Sequence, residues 1–202
     1  MMSRFGIPRK FTLTYVIIAL NVLVYVYTAV LSGNAFETSD AVLLQYGQVN
    51  VSVMKGSFWQ LFTSMFIHVN IEHLLGNMVF LLIFGLRAEE FFETKQYLLI
   101  YLMSGLAGNL LSLLLPEMIS AGASGCIFGV FGAVTIYMRR AISQSIMGAL
   151  VFSFFLLIIS AGYGVNILAH LGGLVAGLLI GYLLAGTRKA KPAYQFSYKY
   201  TS

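Results

Sequence analysis

Six long apolar blocks, separated by short polar or charged connections, constrain this chain more than any other feature. They fall at about 11–31, 59–86, 97–115, 124–138, 145–161 and 167–185. A helix that crosses a bilayer needs about 20 predominantly apolar residues. Inside lipid, only helices and closed barrels satisfy every backbone polar group. The blocks therefore predict an all-α polytopic membrane protein, a six-transmembrane-helix bundle whose fourth helix is short. A short helix is accommodated when its end lies below the membrane surface and is covered by protein. Composition agrees: charged residues make up 9% of the chain, against roughly 25% in soluble domains.

The basic residues orient the bundle. With the connections alternating, Arg4, Arg9, Lys10, Arg87, Lys95, Arg139, Arg140, Arg188, Lys189, Lys191 and Lys199 share one side, which is 11 of the 12 Lys and Arg; Lys55 is on the other. The positive-inside rule then puts both termini in the cytoplasm. A five- or seven-span count would destroy the asymmetry. The net charge of +5 thus reports topology. It does not mark a nucleic-acid surface, because the basic residues are scattered over separate short loops. The expected setting is a prokaryotic cell membrane.

The organisation expected is a short cytoplasmic segment (1–10), one six-span domain (11–187) with an outer loop at about 32–58, and a basic, aromatic cytoplasmic tail (188–202). The first block is too long for a signal-peptide core and is read as a retained helix. The outer loop carries Val42, Leu43, Leu44, Phe58 and Trp59, which suits a loop lying on or dipping into the outer leaflet. The tail reads either as a segment at the lipid interface or as disordered chain. The lone Cys126 permits no intramolecular disulfide and reads as a small packing residue.

Small residues mark packing faces. Ala169, Gly173, Gly177, Gly181 and Ala185 recur every four residues in the sixth block, and Gly125, Gly129 and Ala133 do so in the fourth. Such stripes let helix backbones approach closely. Together they predict contact between the fourth and sixth helices, which would bring Ser124 near His170.

All three histidines, His68, His73 and His170, fall in apolar blocks near their outer ends. Ionisable residues there are functional candidates by default. Ser124 follows a polar break and opens a block, so it reads either as a helix N-cap or as a nucleophile with His170 as its base. A helix start also supplies free N–H groups for an oxyanion. The only aspartate, Asp40, lies in the first loop, so a Ser-His-Asp triad is not expected. Phe128, one turn after Ser124, could stack on His170, and Asn166, one turn before His170, could hydrogen-bond its ring. His73 and Asn77, four apart, share a helical face. His68, five residues before His73, falls about 140° round a continuous helix and reads as a brace for the adjoining loop. The spacing of the histidines argues against zinc, and neither a metal nor another cofactor is expected.

These residues form a pattern that resembles the rhomboid intramembrane serine proteases. The stretches are Trp59-Gln60-Leu61-Phe62-Thr63-Ser64-Met65-Phe66-Ile67-His68, His73-Leu74-Leu75-Gly76-Asn77, Gly122-Ala123-Ser124-Gly125-Cys126-Ile127-Phe128-Gly129 and Ala169-His170-Leu171-Gly172-Gly173-Leu174-Val175-Ala176-Gly177. The resemblance runs over about 13–185. It implies a serine endopeptidase in which Ser124 and His170 form a catalytic dyad. His73, Asn77 and the Ser124 backbone N–H would form an oxyanion hole, with Phe128, His68, Gly122 and Gly125 supporting. The implied substrates are transmembrane proteins in the bilayer, approached from the outer face. Two positions depart from the pattern: Gln60 stands where the family usually has Arg, and Gly76 where some members carry a bulky residue. A lateral gate is expected at the fifth helix, which carries Phe152, Phe154 and Phe155, with Gly162-Tyr163-Gly164 as a cap above it. The competing classes are a non-catalytic client-binding relative and a small transporter. Intact Ser124 and His170 argue against the first. The one-ended ionisable residues and the lack of an inverted repeat argue against the second.

Overall fold

The computed structural model describes residues 13–141, 145–159 and 165–187. In chain order the elements are α1 (Leu13–Ser32), α2 (Asp40–Tyr46), β1 (Gln48–Val49), α3 (Asn50–Met54), α4 (Gln60–Thr63), α5 (Ile71–Phe91), α6 (Thr94–Ser112), β2 (Ile119–Ser120), α7 (Ser124–Ala141), α8 (Ile146–Ile159) and α9 (Ile167–Thr187). The described residues are mostly helical, with two short strands. Three of the helices, Leu13–Ser32, Ile71–Phe91 and Ile167–Gly186, are long and apolar enough to cross a membrane by length and composition.

Helix α7 lies against α5, α6, α8 and α9, and α6 lies against α9, while α1 packs on α5. The closest seam joins α7 to α9. A Cβ on Gly173 would strike the backbone of Gly125, one on Gly177 the backbone of Gly129, and one on Gly181 the backbone of Ala133. The two stripes read from the sequence are therefore the two sides of one contact. A second seam, between α6 and α9, was not anticipated: Gly172 abuts the backbone of Ala107 and Gly108. Helix α7 runs past its apolar block through Arg139 and Arg140 to 18 residues. Cations suit the negative end of a helix dipole, and Arg140 also packs 3.8 Å from the centre of the Tyr182 ring and donates to the Tyr182 carbonyl.

The second apolar block is not one helix. Helix α4 ends at Thr63 and α5 begins at Ile71. The intervening carbonyls serve distant partners: Ser64 O accepts from Gly122 N–H, and Val69 O from Thr38 N–H. His68 O accepts from the Thr38 hydroxyl. A helix through this stretch would need the same carbonyls for itself. Asn70 then starts α5, its side chain accepting from His73 N–H.

The outer loop is built rather than slack. Strand β1 pairs antiparallel with β2, Gln48 opposite Ser120 and Val49 opposite Ile119. Gln60, only 2% exposed, donates to Leu44 O and Gln45 O and accepts from Val49 N–H. The Gln60 amide thus fastens the loop itself. Within the loop Val42 is buried, whereas Phe36, Leu44, Phe58 and Trp59 present exposed apolar surface.

Candidate active site

The starts of α5, α7 and α9 and the end of α6 meet at one end of the bundle. Lys55 is at this end; Arg87, Lys95, Arg139 and Arg140 are at helix ends away from it. Between the helices lies a cavity of about 580 Å³. Ser124, His170, His73 and Asn77 line it, and Phe80, Phe84 and Phe131 form an apolar wall deeper along α5 and α7.

Ser124 is the first residue of α7 and not its cap. Ala123 O accepts the first intrahelical bond, from Ile127 N–H, which is the role of an N-cap carbonyl. The Ser124 hydroxyl instead lies 2.8 Å from His170 Nε2. Phe128 stacks on the His170 ring, with centroids 4.7 Å apart and 25° between planes. One turn of α7 therefore presents both the hydroxyl and the ring that holds its partner.

The turn before Ser124 is set by Gly122, whose φ of +133° L side chains rarely adopt. A Cβ there would also lie 2.9 Å from His73 Nε2 and 3.5 Å from Asn77 Nδ2. His73 and Asn77 thus face the loop that leads into the serine. His73 Nδ1 and Asn77 Nδ2 are buried and have no hydrogen-bond partner among the described residues, whereas buried polar atoms are paired in the great majority of cases. Gly125 lies against Ala169, next to His170, on the α7–α9 seam.

Two local expectations change. His68 sits beside His73, ring centroids 5.3 Å apart at 70°. The 140° offset assumed an unbroken helix, and the chain is not helical from His68 to Asn70. The contact of His68 with the outer loop is made by its main-chain carbonyl, which accepts from the Thr38 hydroxyl. Asn166 does not use its amide as expected. Its Oδ1 accepts from Ala169 N–H, capping α9. Its Nδ2 donates to the hydroxyls of Ser112 and Ser120.

Sequence reasoning missed the polar cluster under the loop. Gln48 donates to Asn50 and to Asn109 O, and Asn109 donates to Leu61 O and the Ser64 hydroxyl. The signal available was an amide in an apolar block, at Asn109. Gly76 lines the cavity with no atom within 4 Å of an added Cβ. Phe155 is exposed; the side chains of Phe152 and Phe154, the Gly162-Tyr163-Gly164 cap and both terminal segments lie outside the described residues. Cys126 is buried, its sulfur against Gly105. Among the described residues no three His, Cys, Asp or Glu side chains are gathered as metal ligands.

These features define a helical integral membrane protein with a serine and a histidine paired at the wall of an internal cavity. The model of the Rhomboid domain matches residues 55–187, and the chain belongs to the rhomboid family. It is 31% identical to Rhomboid-like protease 3 of Toxoplasma gondii over 87% of this chain and 70% of that protein. It is 32% identical to Rhomboid protease GluP of Bacillus subtilis over 83% of this chain and 34% of that protein. It is 39% identical to RHOMBOID-like protein 6, mitochondrial, of Arabidopsis thaliana over 62% of this chain and 43% of that protein. The chain thus spans under half the length of the latter two relatives.

Proposed function

We propose that this protein is an intramembrane serine endopeptidase that cleaves transmembrane segments of membrane-protein substrates. The observation that carries the reading is the 2.8 Å pairing of Ser124 Oγ with His170 Nε2 on the wall of a cavity. In this reading Ser124 attacks the scissile carbonyl and His170 Nε2 takes its proton. The oxyanion is held by the Ser124 backbone N–H, His73 and Asn77; the unpaired Asn77 Nδ2 supports that role. The C–N bond breaks as His170 returns the proton to the leaving amine, and water then releases the acyl group by the same route. Phe128 holds the imidazole from its face, where an aspartate would orient it from its edge. His68, Gly122 and Gly125 shape the surrounding loop and seam.

Two names among the relatives, Rhomboid-like protease 3 and Rhomboid protease GluP, support the reaction class. The proposed architecture has six spans formed by α1, α5, α6, α7, α8 and α9, with α7 as the central helix whose start lies below the membrane surface. The proposed setting is a prokaryotic cell membrane, with both termini cytoplasmic and the site open to the outer face. A substrate helix must unwind locally before its carbonyl is accessible, so helix-weakening residues near the scissile bond favour cleavage.

The test compares cleavage of a transmembrane reporter by purified wild type, Ser124→Ala and His170→Ala. Both variants are expected to be inactive yet folded, and a fluorophosphonate is expected to label wild type alone. Cleavage that survives Ser124→Ala would end the serine-protease reading.

A further inference from the structure

We infer that Asn166 is a positioning residue that fixes the axial register of α9 and so holds His170 against Ser124; the inference rests on the proteolytic reading above. Two separate coordinates define the pair. The α7–α9 seam fixes how closely the helices approach. The glycine stripe of that seam meets backbone and adds no side-chain knob; the side chains that cross it include Phe128 against His170 and Phe131 with Leu174 near the site, and Arg140 on Tyr182 at the far end. At the site end, the hydrogen bonds at the start of α9 add an axial stop.

Asn166 has the bonds to do so. It is 7% exposed and one turn before His170. Its Oδ1 caps α9 at Ala169 N–H, 3.1 Å away. One amide hydrogen goes to the Ser120 hydroxyl at 2.7 Å and the other to the Ser112 hydroxyl. Ser120 belongs to β2, four residues before Ser124, and is held to Gln48 through the β1–β2 pairing. Ser112 ends α6 and is also fastened by Asn50, which donates to its carbonyl at 2.6 Å and to its hydroxyl at 3.1 Å. One carboxamide therefore joins the helix start of the histidine to the strand that leads into the serine and to the end of α6. A displacement of about 1 Å along the line of the 2.8 Å contact takes it beyond hydrogen-bond range, and misplacement on that scale costs about 10²-fold in rate.

The decisive variant is Asn166→Ser, which keeps a capping hydroxyl but is too short to reach Ser112 and Ser120. Its kcat is expected to fall about 10- to 10²-fold with KM within twofold. Fluorophosphonate labelling of Ser124 should slow in step, and the thermal midpoint should move by less than about 4 °C. Ser120→Ala breaks the same tie from its other end and is expected to lower kcat in the same sense. The double variant should lose no more than the worse single variant, since Asn166→Ser already removes the link that Ser120→Ala breaks. Wild-type kcat and labelling in Asn166→Ser overturn the inference, as does a loss borne by KM or matched by a fall in melting, or strict additivity in the double variant. Failure of the proteolytic reading is seen separately, as cleavage that persists in Ser124→Ala.

Discussion

Ser124 contributes two groups to the site, a hydroxyl toward His170 and a backbone N–H at the positive end of α7. His73 and Asn77 approach the same turn from α5, kept close by the absence of a side chain at Gly122. His73→Ala and Asn77→Ala are each expected to lower kcat by about 10²–10³ with little change in KM, measured on a transmembrane reporter. Both side chains are legible in the sequence, because an imidazole and an amide four apart in an apolar block have few bland explanations. Asn166 is legible as important but not in its role, since capping and ring contact both fit a residue one turn away. Gln60 makes a different point. Its side chain makes three bonds to the loop, and Gln60→Ala leaves Val49 N–H and Leu44 O short of a partner. Thermal unfolding in detergent should show a loss of about 1–3 kcal/mol.

Among the elements, the outcome for each apolar block follows from where its carbonyls can bond. The sixth block forms α9 as expected, and the Arg140 bond to the Tyr182 carbonyl near its end leaves the helix unbroken. The second breaks at residues 64–70, because the Gly122 and Thr38 N–H groups and the Thr38 hydroxyl claim those carbonyls. Hydropathy is blind to that competition, and a helical-wheel argument across the break misplaces His68. The glycine stripes are legible as a contact because their period matches on both helices. The α6–α9 seam rests on single small residues with no period to read. The glycine seam and the cavity make contrasting predictions. Gly177→Leu would place a side chain against the Gly129 backbone, which cannot swing away, so it should destabilise by about 1–3 kcal/mol or more and abolish cleavage. Gly76→Ala meets open space and should leave the fold as stable or slightly more so, because alanine favours the helix by about 0.5–1 kcal/mol. Thermal melts of the two variants side by side check both.

For the whole molecule, charge sets the orientation reading, and the helix ends group accordingly. Lys55 lies at the end that holds the site, and Arg87, Lys95, Arg139 and Arg140 lie at the other. In intact cells, an impermeant maleimide should label Lys55→Cys without lysis and Lys95→Cys only after it. The buried Cys126 serves as the silent background. The reverse pattern overturns the proposed orientation. What neither composition nor charge could reveal is the polar scaffold of Gln48, Asn50, Asn109 and Ser112. These residues are scattered along the chain and carry no shared spacing, so only the folded loop brings them together.

The glycine seam between α7 and α9 also bears on how such a protein can diverge. Where glycine meets main chain there is no side chain to exchange, so substitution at the stripe cannot adjust the distance between Ser124 and His170 in small steps. Mutations there are steric failures or silent. Under the proposed function, variation that retunes which peptides are accepted falls to the walls that do carry side chains, the cavity face of α5 with Gly76, Phe80 and Phe84 foremost. On that reading the proposed chemistry is held by architecture, and selectivity is left free to drift.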